Sequence, residues 1–130
     1  MEHLGKAVDL MDLRRAQPVP KKKGVKVPPV LISFIREMDL PDQVKQNAVT
    51  LVTARDSLGK EKYGQSLMSD DGRDPYIDAL QELGDLLQYL MQCRLNGVDV
   101  AGIRELLPIL KALCKPEKAK RRDALWCGFF

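Results

Sequence analysis

Three features of the 130-residue sequence predict an all-α protein, an antiparallel helical bundle of about four to five helices behind a basic N-terminal arm. Apolar residues recur at steps of three and four through the middle and second half of the chain, and no stretch alternates apolar with polar at a period of two. The composition is 45% hydrophobic and 30% charged with only 5% aromatic residues, which suits helices better than a sandwich of branched and aromatic strands. At this length a single domain with a real core is expected, and an enzyme so small would complete its site at a subunit interface.

The elements follow in order. Leu4, Val8, Leu10, Met11 and Leu13 are enough for a short amphipathic helix within residues 1–17. Pro18, Pro20, the lysines at 21–23, Gly24, Lys26, Pro28 and Pro29 then interrupt it. Residues 1–27 are therefore read as an N-terminal segment with a basic, extended linker, and 28–130 as a single helical domain. Pro28 and Pro29 suit the first turn of a helix carrying Val30, Leu31, Phe34, Ile35 and Met38, which Pro41 stops. Asp42 caps the next helix, in which Val44, Ala48, Leu51, Val52, Arg55 and Leu58 lead to Gly59 or slightly beyond.

The stretch 63–74 is rich in Gly, Ser and Asp, and Asp74-Pro75 is the signal of a new helix: an N-cap followed by a first-turn proline. That helix runs to the Asn96-Gly97 pair, with a seam of Tyr76, Leu80, Leu83, Leu87 and Leu90. Asp99 caps a fourth helix through Ile103, Leu106, Leu107, Leu110 and Leu113, which Pro108 kinks or splits. Pro116 opens a last segment in which Lys118, Lys120, Arg121 and Arg122 precede an apolar end of Ala124, Leu125, Trp126, Phe129 and Phe130.

The net charge of +3 is too small to indicate nucleic acid, since it combines lysine-rich ends with an acidic middle. Cys93, Cys114 and Cys127 show no C-x-x-C spacing and follow no apolar leader, so they read as reduced thiols in a reducing compartment. Apolar runs are broken by charge or proline well short of a membrane span. A cytoplasmic or nuclear protein with no membrane partner is expected.

The chemistry lies on the helix that begins at Pro75. At about 100° per residue, Asp78, Glu82, Asp85 and Tyr89 fall on one narrow stripe opposite the leucine seam, flanked by Gln81, Gln88 and Gln92. No Lys or Arg occurs between Asp74 and Gln92, although solvated faces ordinarily interleave the two signs at i, i+4. Such a stripe is either a hydrated outer face or a source of carboxylate oxygens for a hard divalent cation such as Mg²⁺, held together with water and substrate phosphates.

Within 55–92, the runs Lys62-Tyr63-Gly64-Gln65, Asp71-Gly72-Arg73-Asp74 and Asp78-Ala79-Leu80-Gln81-Glu82, leading to Asp85 and Tyr89-Leu90, form a set that resembles a known family. It looks like the small phage-type members of the MazG-like, all-α nucleoside triphosphate pyrophosphohydrolases. The resemblance implies hydrolysis of a (d)NTP to (d)NMP and pyrophosphate, with Mg²⁺ or Mn²⁺ as cofactor and a homodimer or homotetramer as the assembly. By the same resemblance Glu82 and Asp85 match the E-x-x-D motif and become catalytic metal ligands, with Asp78 one turn earlier as a third. Lys62 and Arg73 become phosphate contacts, and Tyr63 a substrate contact that stacks on the base. The family's E-x-x-E on the preceding helix has no counterpart; that helix offers Asp56 and Glu61, five residues apart. Small members are carried by phages and large DNA viruses, which implies a viral setting in a host cytoplasm or nucleus.

Two other classes stay open. A catalytically degenerate helical module would use its leucine-rich faces and the apolar end to bind a partner or a second copy. A weak nucleic-acid binder would use the lysines at 21–26 and the basic residues at 115–122, although no aromatic platform interleaves with them. His3, the only histidine, falls at a terminus where an exposed side chain is expected, so histidine catalysis is not.

Overall fold

The computed structural model describes residues 8–98, 100 and 102–113, and these form an all-α fold. Among the described residues six helices form: α1 (Leu10–Arg14), α2 (Val27–Glu37), α3 (Asp42–Tyr63), α4 (Pro75–Leu95), α5 (Ile103–Leu106) and α6 (Ile109–Leu113). The apolar segment beyond Pro116, with Cys114, Cys127, His3 and Asp99, lies outside the described residues. No helix among those described is long and apolar enough to cross a membrane.

Contacts divide the chain into two units. A central unit is formed by Gln17–Arg73, and a terminal unit by the described residues of Met1–Ala16 and Asp74–Phe130. In the central unit α2 packs on α3. Pro28 and Pro29 sit in the first turn of α2, where a missing N–H costs nothing, and Pro28 and Ile35 are buried. The helix stops at Glu37, short of the expected Pro41, and Met38 is already extended with its N–H on the Ile35 carbonyl at 3.1 Å. Pro41 excludes helical backbone at Leu40, and the three residues 38–40 make the turn that lets α3 follow. Lys45 of α3 closes that turn, its Nζ donating to the Arg36 carbonyl at 2.9 Å.

Asp42 is the first helical residue of α3, and Pro41 occupies the cap position assigned to Asp42 from sequence. A carboxylate in the first turn still opposes the helix dipole favourably. The helix runs through Gly59 to Tyr63 and ends where Gly64 turns left-handed, at φ 73°, with its N–H on the Lys60 carbonyl at 2.8 Å.

The proline- and lysine-rich arm is extended, as its composition predicts, but it is not a bare linker. It lies antiparallel to residues 65–71: Val27 N–H donates to the Leu67 carbonyl at 2.9 Å, Ser69 N–H to Val25 at 2.9 Å, Asp70 N–H to Lys23 at 3.1 Å and Lys21 N–H to Asp71 at 2.8 Å. Ser69 Oγ accepts from Val25 N–H at 2.8 Å, Gln65 Nε2 donates to the Lys21 carbonyl at 2.9 Å, and Lys26 bridges to Met68. Prolines leave few backbone donors in the arm, and those of Lys21, Val25 and Val27 all find partners here. Met68, Ser66 and Asp71 are buried beneath this pairing.

In the terminal unit α4 is the central element, contacted by α1, α5 and α6. Its N-cap is Asp74, whose carboxylate accepts from Tyr76 N–H at 3.0 Å, and Asn96 closes it ahead of a left-handed Gly97, as the sequence predicts. Leu83, at the centre of the seam, is buried, with Tyr76, Leu80, Leu87 and Leu90 half-buried beside it. Asp9 caps α1 by accepting from Met11 N–H at 2.9 Å, and Gln81 of α4 holds α1 by donating to the Leu13 carbonyl at 2.7 Å. Pro108 splits the expected fourth helix into α5 and α6, and Gly102, at φ 129°, precedes α5.

Candidate active site

The helical period that turns the Tyr76-to-Leu90 seam inward turns Glu82, Asp85 and Tyr89 outward, and all three are exposed. Asp78, nearer the start of α4, is half-buried, and its N–H donates to the Asp74 carbonyl at 3.2 Å. Glu82 and Asp85 lie three residues apart on one face of α4, so their carboxylates can act together. Arg15–Asp12 at 2.8 Å, Lys23–Asp70 at 3.3 Å and Lys60–Asp56 at 3.3 Å are ion pairs among the described residues, and none of them involves Glu82 or Asp85. The flanking glutamines give no cation either: Gln81 is engaged with α1, and Gln88 donates to the Gly84 carbonyl at 3.3 Å.

Among the described residues no group of three or more His, Cys, Asp or Glu side chains converges closely enough to cage a metal ion. The donors on α4 nevertheless fit the looser mode that Mg²⁺ prefers, in which one or two carboxylates hold the ion while water and substrate phosphates complete its shell. Glu82 and Asp85 are the pair suited to it, being exposed and in no ion pair among the described residues.

The other expected site residues belong to the central unit. Lys62 and Tyr63 end α3, both exposed, with Lys62 Nζ 5.1 Å from the centre of the Tyr63 ring, a cation–π distance. Arg73 is half-buried; its N–H donates to Asp71 Oδ1 at 3.0 Å, and its Nη1 donates to the Pro18 carbonyl at 2.8 Å. The guanidinium therefore ties down the arm.

Two residues take on weight that spacing did not give them. Asp56 is only 16% exposed; its Oδ2 pairs with Lys60, while its Oδ1 is buried without a hydrogen-bond partner. The i, i+4 spacing of Asp56 and Lys60 is in the sequence, but the burial that orphans Oδ1 is a property of the fold. Lys21 is the other: it lies against the Asp71-Gly72-Arg73 turn, a proximity that only the pairing of arm and loop creates.

No family model, curated protein or solved structure matches the chain in comparisons with known proteins.

Proposed function

We propose that the protein is a MazG-like nucleotide pyrophosphohydrolase that splits a (d)NTP into (d)NMP and pyrophosphate. The observation that carries this reading is the exposed, unpaired Glu82–Asp85 pair one turn apart on α4, opposite the seam that holds the helix in place. Uncompensated like charge at that spacing disfavours the helix by a few tenths of a kcal/mol, about what one surface pair is worth, and a bound cation reverses the sign. In this reading Glu82 and Asp85, with Asp78 a turn earlier, hold Mg²⁺ or Mn²⁺. When bound, that ion supplies charge neutralisation and an acidified water. The resemblance assigns the phosphate contacts to Lys62 and Arg73 and the base contact to Tyr63, all residues of the central unit. Water adds to the phosphorus nearest the sugar, the bond to the bridging oxygen breaks, and pyrophosphate leaves.

The test is pyrophosphate release from a panel of canonical and modified nucleoside triphosphates with Mg²⁺ or Mn²⁺. Metal-dependent release that disappears in Glu82→Gln supports the reading; no release from well-folded protein across the panel rejects it.

A second reading, a helical association module, draws on α3. Val44, Leu51 and Leu58 recur at sevens on that helix and are 49%, 64% and 50% exposed. A coiled-coil-like seam of this kind suits a second copy of the chain, in the homodimer or homotetramer that the pyrophosphohydrolase reading also needs. The two readings part on catalysis: a pure association module releases no pyrophosphate.

A further inference from the structure

We infer that the basic arm carries an anion site of the central unit, in which Lys21 presents its ammonium to a polyphosphate beside the Asp71-Gly72-Arg73 turn. The inference rests on the nucleotide reading above and extends it to a residue that the family resemblance does not include.

Lys21 is placed there by its backbone. Its N–H donates to the Asp71 carbonyl at 2.8 Å and its carbonyl accepts from Gln65 Nε2 at 2.9 Å, so both main-chain polar groups are tied to the loop. Its aliphatic stem lies along Gly72, with Cδ 3.6 Å and Cε 3.7 Å from the position a Cβ there would take. Gly72 has φ +82°, a conformation that L side chains avoid, so the turn under Lys21 is glycine's by backbone geometry.

The neighbouring charges are already committed. Asp70 pairs with Lys23 at 3.3 Å, and the buried Asp71 carboxylate accepts from Arg73 N–H at 3.0 Å. Arg73 spends a guanidinium N–H on the Pro18 carbonyl. The Lys21 ammonium enters no ion pair among the described residues. Along the paired segments Lys21, Lys22, Lys23, Lys26 and Arg73 outnumber Asp70 and Asp71, so the surface carries surplus positive charge. Lysine binds phosphate as a point charge on a flexible stem and needs no planar register, which suits an exposed polyphosphate chain. Arg73 thus anchors the arm, and Lys21 is the cation the anchored arm delivers.

The experiment titrates the full chain with inorganic tripolyphosphate in metal-free, low-salt buffer, and in parallel measures steady-state hydrolysis of a nucleoside triphosphate with Mg²⁺ added. Lys21→Gln is expected to weaken tripolyphosphate binding about fivefold and to raise KM by a similar factor, with kcat within about twofold. Arg55→Gln removes one positive charge from an exposed position on α3, away from the arm, and leaves both within about twofold. Equal losses in the two variants would mean diffuse attraction and overturn the assignment, as would wild-type protein that does not bind tripolyphosphate. Tripolyphosphate binding that depends on Lys21 in a chain hydrolysing no nucleotide would keep the anion site and reject the pyrophosphohydrolase reading.

Discussion

Arg73 and Pro18, fifty-five positions apart, are joined by a 2.8 Å hydrogen bond from Nη1 to the main-chain carbonyl. One end of the arm is thereby fastened to the residue that closes the central unit, just before the cap of α4. Arg73→Ala is expected to cost about 1 kcal/mol of stability, the usual worth of such a bond. The amides of Lys21, Ser69 and Asp70 should exchange faster in the variant while those of α3 do not change. Unchanged exchange at all three would show that the arm is held without Arg73.

Two glycines of the α3 region should respond to the same substitution with opposite signs. Gly59 lies inside α3 with open space where a Cβ would go, so Gly59→Ala is expected to stabilise by about 0.5–1 kcal/mol. Gly64 ends the helix at φ +73°, and Gly64→Ala is expected to destabilise by about 1 kcal/mol. Urea midpoints of the two variants should fall on either side of wild type.

Asp56 holds a buried oxygen without a partner, an arrangement that costs stability. Asp56→Ala removes that oxygen together with an i, i+4 ion pair to the exposed Lys60 worth about a few tenths of a kcal/mol, so a net gain of about 1 kcal/mol is expected. A loss of stability would show that the carboxylate is better satisfied in solution than the fold suggests.

Neutralising the α4 pair should separate function from folding. Glu82→Gln and Asp85→Asn each remove a like-charge repulsion and should leave the melting temperature unchanged or slightly raised, while metal-dependent pyrophosphate release is lost. Full activity in both variants would show that the stripe is only a hydrated face.

Leu51 is the midpoint of the exposed α3 stripe. Leu51→Glu should shift the mass measured by light scattering toward that of the single chain without unfolding it, because the residue it replaces is exposed within the chain. An unchanged mass would reject the α3 stripe as a contact between copies.

What the sequence made legible was what depends on neighbours along the chain. The Asp74-Pro75 start of α4, its Asn96-Gly97 end and the interruption at Pro108 are local stereochemistry, and all three stand where the residues place them. The exposure of Glu82 and Asp85 followed from the angular separation of stripe and seam on one helix. Boundaries decided by competition between local signals fell differently: α2 gave up its last turn ahead of Pro41, and α3 took Asp42 into its first turn because Pro41 fills the cap position. The pairing of the arm with residues 65–71 was not legible, since no period or cap links segments so far apart. With it went Lys21 and the engagement of Arg73, both properties of that pairing.

The pairing also sets the order in which the central unit assembles. The α2–α3 hairpin is joined by the short turn 38–41 and can form from local contacts, whereas the Val25–Ser69 and Lys21–Gln65 bonds each close forty-four positions of chain. Loop closure on that scale costs entropy before the bonds that reward it form, so the strap is expected to dock after the helices meet and to open before they part. The turn that carries Gly72 and Arg73 is therefore expected to be the last part of the central unit to acquire its shape during folding.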